Sequence, residues 1–113
     1  MTLLGTNSST VQDIEVDARS IYVAAGSISA FALDGSTTEI LASTASPPKL
    51  AIDADSIYFF SGGSLSRISK SGGDVTVLAI DTYAKDLAVD DTSVYWTSGG
   101  MDGVTGAVMK VAK

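Results

Sequence analysis

Three aspartates are the most regular polar feature of the chain. Asp17, Asp53 and Asp90 recur at steps of 36 and 37 residues. Each is followed three positions later by a serine (Ser20, Ser56, Ser93) and five positions later by a tyrosine (Tyr22, Tyr58, Tyr95). Two chemistries suit such a set. A ring of carboxylates could bind Ca²⁺, because hard cations take several oxygen ligands. Alternatively, each carboxylate accepts backbone N–H bonds from residues two and three positions on, as in an Asx turn. Turn chemistry must recur wherever a turn recurs, so repetition in every unit favours the structural role and predicts no metal site. Neighbouring acids at Asp53/Asp55 and Asp90/Asp91 suggest the paired carboxylates of glycoside hydrolysis, but nothing close in sequence would raise the pKa of one of them. Trp96 and the tyrosine series could stack on sugars. Large apolar side chains are mostly inside, so these rings are expected to fill space between packed sheets.

Composition removes most other chemistry. The 113 residues include no cysteine and no histidine. Disulfides, thiolate nucleophiles, Cys- or His-ligated zinc and Ser-His-Asp catalysis are thereby excluded. The net charge is −6 and only seven residues are Lys or Arg. A phosphate backbone or an anionic membrane surface needs a basic face, so neither is an expected partner. No apolar run approaches the roughly 20 residues of a membrane span. No catalytic residue and no cofactor are expected.

The spacing of the aspartates is the spacing of a repeat. Residues 13–25, 49–61 and 86–98 align, and Leu4, Leu41 and Leu78 form a second series at steps of 37. Each unit reads as four short strands. In the second unit these are Leu50–Asp53, Ser56–Ser61, Leu65–Ser69 and, after the polar turn Ser71–Asp74, Val75–Ala79. Gly, Asp and Ser punctuate them, and no segment keeps a helical period. The proline pair Pro47-Pro48 falls between units, where no ladder needs its missing N–H groups. Four strands per repeat of this length is the pattern of a β-propeller blade. A sandwich or solenoid does not require the same Asp, Ser and Tyr at constant spacing. The expected class is all-β: one domain, residues 1–113, with blades at 13–42, 49–79 and 86–113.

The segment Val89–Ser98, VDDTSVYWTS, together with Ala107–Val111, AVMKV, resembles the repeats of six-bladed propellers of the YWTD and TolB-like type, and bacterial blades of that group most of all. Tyr95-Trp96-Thr97 match the signature, and Ser98 stands at its final Asp. The resemblance implies a six-bladed ring and, on the same ground alone, a bacterial and exported protein. Propellers of this group include enzymes, receptors and scaffolds, so the fold does not select an activity. A non-enzymatic scaffold or interaction module is the leading expectation, with its ligand unknown. A lectin-like ring binding a sugar or small ligand comes second, and a hydrolase fragment third.

Three blades predict an assembly. Thr2-Leu3-Leu4-Gly5 aligns with Thr76-Val77-Leu78-Ala79, a fourth and outermost strand, yet precedes the first complete unit. Met109–Lys113 reads as a third strand with no fourth behind it. Strand 2–5 of a partner is therefore expected to complete blade 86–113. Propellers typically have 4–8 blades, and three would each have to turn roughly 120° to close alone. Two copies head to tail give six blades and leave no open edge, and a homotrimer of nine is the rival.

One feature breaks the repeat. The third unit carries an inserted loop, Gly99–Gly106, on the face where propellers commonly bind ligands. Its Met101, Asp102 and Thr105 are the side chains expected to touch a ligand if one binds. A neutral insertion is the alternative, since loop closure costs grow slowly with length. Replacing Gly99–Gly106 by the Gly-Gly of the second unit should change the unfolding free energy, measured in urea, by no more than about 0.5 kcal/mol. A larger loss would mean that the loop packs against a blade.

Overall fold

The structure is a computed structural model that describes residues 1, 3, 5, 10–43, 49–99 and 106–113. Those residues form eleven strands: β1 (Asp13–Val16), β2 (Ser20–Ala24), β3 (Ile28–Ala32), β4 (Thr38–Ala42), β5 (Leu50–Ile52), β6 (Ser56–Ser61), β7 (Ser64–Ser69), β8 (Thr76–Ile80), β9 (Ala84–Val89), β10 (Ser93–Ser98) and β11 (Ala107–Ala112). No helix occurs among the described residues.

Each sheet follows chain order. Strands β1-β2-β3-β4 make blade one, β5-β6-β7-β8 make blade two, and β9-β10-β11 make a three-stranded blade three. All neighbouring pairs are antiparallel. The tight turn between β6 and β7 uses Gly62 and Gly63 at φ of 58° and 83°. Two consecutive positive φ values suit the type I′ hairpin, whose twist matches the flanking strands. A bulge falls at Ile28/Ser29 in blade one and again at the equivalent Leu65/Ser66 in blade two. The same irregularity at the same place shows the repeat extending to backbone detail. Strand β8 runs to Ile80 and β9 opens at Ala84, so the link between blades two and three is the short stretch 81–83.

The blades stand side by side like staves. Strand β1 contacts β5, and β5 contacts β9, so the first strand of each blade lies innermost. Side chains alternate across a strand, and in β6 both faces are apolar. Ile57 and Phe59 point toward blade one, where they pack with Tyr22, Ala24, Ile28, Leu41, Leu50 and Ile68. Tyr58 and Phe60 point the other way and pack with Ala51, Leu65, Leu87, Val94 and Trp96. Phe60 meets Trp96 edge to face, with centroids 6.4 Å apart. This is the two-sided burial that makes a propeller sheet read as a nearly continuous apolar run.

Among the described residues, no blade lies against the outer two faces of the arc. On blade one that face carries Ile14, Val16, Ile21, Val23 and Phe31, placed together by the register Ile14↔Val23, Val16↔Ile21 and Ile21↔Phe31. Ile14 and Val16 are each 59% exposed, whereas Leu50, at the position of Ile14 in the next repeat, is 3% exposed; Val23 and Phe31 on the same face are buried and pack with Ala25 and Ile21. On blade three the outer face carries Asp86, Ala88, Tyr95 and Thr97 around a shallow recess of about 180 Å³. Along β11, at the free edge of that sheet, Val108 is 80% exposed. Of the strand expected at 2–5, Leu3 and Gly5 lie outside any strand, with Gly5 against the ring of Phe31. Thr2 and Leu4 are outside the described residues, as are Pro47 and Pro48.

Phe59 is fully buried between two blades. Phe59→Ala should cost on the order of 3–5 kcal/mol by transfer and cavity terms together. Val77, 56% exposed on outer strand β8, provides the contrast. Val77→Thr should stay within about 0.5 kcal/mol, both being read from urea unfolding midpoints.

Candidate functional site

The repeated aspartates sit in the turns between the first and second strands. Asp17 Oδ1 accepts the amides of Arg19 and Ser20, each at 2.8 Å. Asp53 Oδ1 accepts those of Asp55 at 3.0 Å and Ser56 at 2.7 Å. Asp90 Oδ1 accepts those of Thr92 and Ser93, each at 2.9 Å. One carboxylate oxygen thus closes the turn in all three blades. The other receives the tyrosine hydroxyl of the same repeat: Tyr22 to Asp17 at 3.0 Å, Tyr58 to Asp53 at 2.7 Å and Tyr95 to Asp90 at 2.8 Å. The five-residue offset follows from the hairpin, which returns the second strand past the turn that precedes it.

A third partner arrives from the next blade. Lys70, directly after β7, donates from Nζ to Asp17 Oδ2 at 2.7 Å. Lys113, directly after β11, does the same to Asp53 Oδ2 at 2.8 Å. Each ammonium also stands over the neighbouring tyrosine ring, 5.3 Å from the centroid of Tyr22 and 5.6 Å from that of Tyr58. Both lysine side chains are largely covered, at 14% and 18% exposure. Carboxylate, phenol and ammonium therefore form a latch across the blade one–two and blade two–three junctions. A cleft of about 850 Å³ opens beside the first latch, between the turns of blades one and two.

Two further polar contacts tie the junctions. Asp13 Oδ2 accepts the Leu50 amide, one repeat away, at 2.8 Å. Trp96 donates from Nε1 to Asp81 Oδ2 at 2.9 Å, fixing its indole to the link before β9. Trp96 is 5% exposed and packed on Phe60, so its face is not open for stacking. The loop residues Met101, Asp102 and Thr105 lie outside the described residues.

The protonation states follow from these partners. Burial raises the Asp17 carboxyl, but the Lys70 ammonium, two turn amides and the Tyr22 hydroxyl together outweigh it and hold the group below the usual carboxylate range. Asp53 is lowered in the same way against its own burial, by Lys113, Tyr58 and its turn amides. Asp90 is lowered to about 2 by the Thr92 amide, the Tyr95 hydroxyl and the Ser93 amide. The three carboxylates are thus kept charged, and none offers the protonated acid that glycoside hydrolysis uses. Glu15 on β1 is displaced upward, by burial and then by the charge of Asp13. No group of three acidic residues that could hold a metal occurs among the described residues. At two of the three aspartates the cationic partner is a lysine of the following blade.

The reading of the residues located the turn and the rings but missed the lysines. Their signal was present: SRISK and MKVAK end their third strands alike, in Lys70 and Lys113.

Comparison with known proteins supports the fold and nothing finer. The chain matches no protein-family profile and no curated protein in sequence. In structure it is similar to a chain of the crystal structure of a nidogen/laminin complex, with a TM-score of 0.71 at 18% identity. The match covers 89% of this chain and 48% of the other, so the three blades span about half that length. The fold is that of a β-propeller.

Each of the three repeated aspartates has a folded pKa below its unfolded value of about 3.9. The stability it contributes is present above that value and is lost as the pH falls toward the lower folded value. The melting temperature should hold from about pH 7 to pH 5 and drop below about pH 4. Asp53→Asn keeps a turn acceptor but loses the charge facing Lys113, so it should lower the neutral-pH melting temperature and flatten the acid limb. Asp53→Ala, which also loses the turn bonds, should cost about 0.5–2 kcal/mol more. A melting temperature independent of pH down to about pH 2 would contradict the latch.

Proposed function

We propose that the chain is a non-enzymatic interaction module, half of a ring that two copies close head to tail into six blades. One observation carries this reading. The same repeat position is 59% exposed at Ile14, on the outer face of blade one, and 3% exposed at Leu50, where a preceding blade covers it. The chain therefore supplies both a face that covers and a face that needs covering, on opposite ends of one arc. Joining blade three of one copy to blade one of the other repeats the packing already present twice within the chain.

Three details support that join. Asp86 occupies in blade three the place of Asp13, whose carboxylate accepts the amide of Leu50 in the following blade. At a seam between copies it offers the same acceptor to the amide of the partner's Ile14. Strand β11 is a free sheet edge, and Thr2–Gly5 carries the pattern of the fourth strand Thr76–Ala79 that covers such an edge in blade two. Three blades span about half of the similar propeller chain, in keeping with a count of six. That chain belongs to a complex of two proteins, which supports a binding role for the finished ring. The ligand would be met on the closed propeller, where loops from both copies gather.

Light scattering should give twice the 11.5 kDa mass of the chain, and the melting temperature should rise with concentration because unfolding is coupled to dissociation. A cooperatively folded monomer at micromolar concentration would overturn the ring. A trimer would keep the head-to-tail contact and refute the count of six.

A further inference from the structure

Two of the three Asp–Tyr pairs hold a cation delivered by the blade that follows, Lys70 on Asp17 and Lys113 on Asp53. The third pair has the same geometry and no such cation among the described residues. Asp90 Oδ1 is engaged by its turn amides and Oδ2 by Tyr95, while the Tyr95 ring is met only from its own sheet, by Lys110 at 5.8 Å. Asp90 and Tyr95 repeat the turn bonds and the Asp–Tyr bond of the two filled pairs, with Lys110 of their own sheet over the ring in place of a lysine from a following blade.

In the two-copy ring, on which this inference rests, the blade following blade three is blade one of the partner. Blade one cannot repeat the lysine latch. The position directly after the third strand, Lys70 in blade two and Lys113 in blade three, is Leu33 in blade one, 45% exposed. Blade one differs at a second place. In the cleft between blades one and two, the following blade's turn, with Asp53 and Asp55, lines the same space as Asp17, Tyr22 and Lys70. The residue just before the repeated serine of that turn is Asp55 in blade two and Thr92 in blade three, but Arg19 in blade one. Where the strand end brings a lysine, the turn carries Asp or Thr. Where the strand end is Leu33, the turn carries the cation.

We infer that the Asp90–Tyr95 pair is a binding seat for a guanidinium, and that the partner's Arg19 fills it at the seam. Transferring the blade one–two relation to the seam places that turn beside Asp90. An arginine has the reach, and its planar fork of N–H donors suits a carboxylate whose second oxygen faces the neighbouring blade. Each junction of the ring then has one cation on its aspartate: lysine at the four internal junctions and arginine at the two seams.

The test is the dimer dissociation constant, measured by dilution in native mass spectrometry for wild type, Arg19→Ala, Asp90→Asn and the double variant. Asp90→Asn keeps an Oδ1 acceptor for the turn, and circular dichroism checks that each variant is folded. Arg19→Ala and Asp90→Asn should each weaken the dimer about tenfold, as expected for one partner of a seam charge pair. The double variant should be no weaker than either single one, because the two residues act on the same bond. Adding Leu33→Lys to Arg19→Ala should restore the dimer by rebuilding the lysine latch, and adding it to Asp90→Asn should not. A dimer that persists with Arg19→Ala within twofold of wild type, or with additive single effects, would overturn the arginine seat while leaving the ring standing. A wild-type chain that is monomeric at every concentration would overturn the ring itself.

Discussion

A propeller blade is a sheet with two apolar faces, and each face needs another blade against it. Blade two satisfies this completely. Ile57 and Phe59 are covered on one side and Tyr58 and Phe60 on the other, all within one six-residue strand. Near-complete burial of such side chains, at roughly 25 cal/mol per Å² of apolar surface, is the main stabilising term available to a chain that has no cysteine for disulfides. Among the described residues, blades one and three each have a blade against only one face. Everything that distinguishes the ends of this molecule from its middle follows from that asymmetry: the exposed Ile14 and Val16, the shallow recess beside Tyr95 and the free edge at β11.

Apolar packing holds blades together but does not by itself set their angle. The polar latches add a directional tie at the two internal junctions. Asp17 and Asp53 each spend one oxygen on their own turn and the other on a tyrosine and a lysine from two different blades, so the turn, the second strand and the neighbouring sheet are fixed to one point. Charge-assisted bonds in partly covered positions are stronger and more directional than exposed ion pairs. The same partners hold these carboxylates charged, so none is a protonated acid at neutral pH.

The sequence made the blades legible because their signals are local. The Asx turn depends on residues two and three positions away, and the tyrosine bond on one five positions away, so a constant short pattern revealed both. The propeller followed from the repeat of that pattern. The latch lysines left only the shared ending of SRISK and MKVAK as a trace, which does not name their partner, because Lys70 reaches Asp17 across 53 positions and a lysine at a strand end is ordinary on any surface. The Asp13 contact to Leu50 spans a full repeat and has no local trace either. The inserted loop with Met101, Asp102 and Thr105 shows only as a departure from the repeat length, which locates it without saying what it touches.

The central claim is that the outer face of blade three covers the outer face of blade one in a second copy. The chain has no cysteine, so single cysteines can be placed at will. Ile14 and Thr97 occupy the repeat positions of Leu50 and Ala24, which share one cluster where blades one and two meet. Proteins carrying Ile14→Cys and Thr97→Cys should therefore form a disulfide-linked dimer when refolded together under mild oxidation, and neither should do so alone. Linkage of Ile14→Cys to itself, or no linkage in the mixture, would contradict the head-to-tail ring.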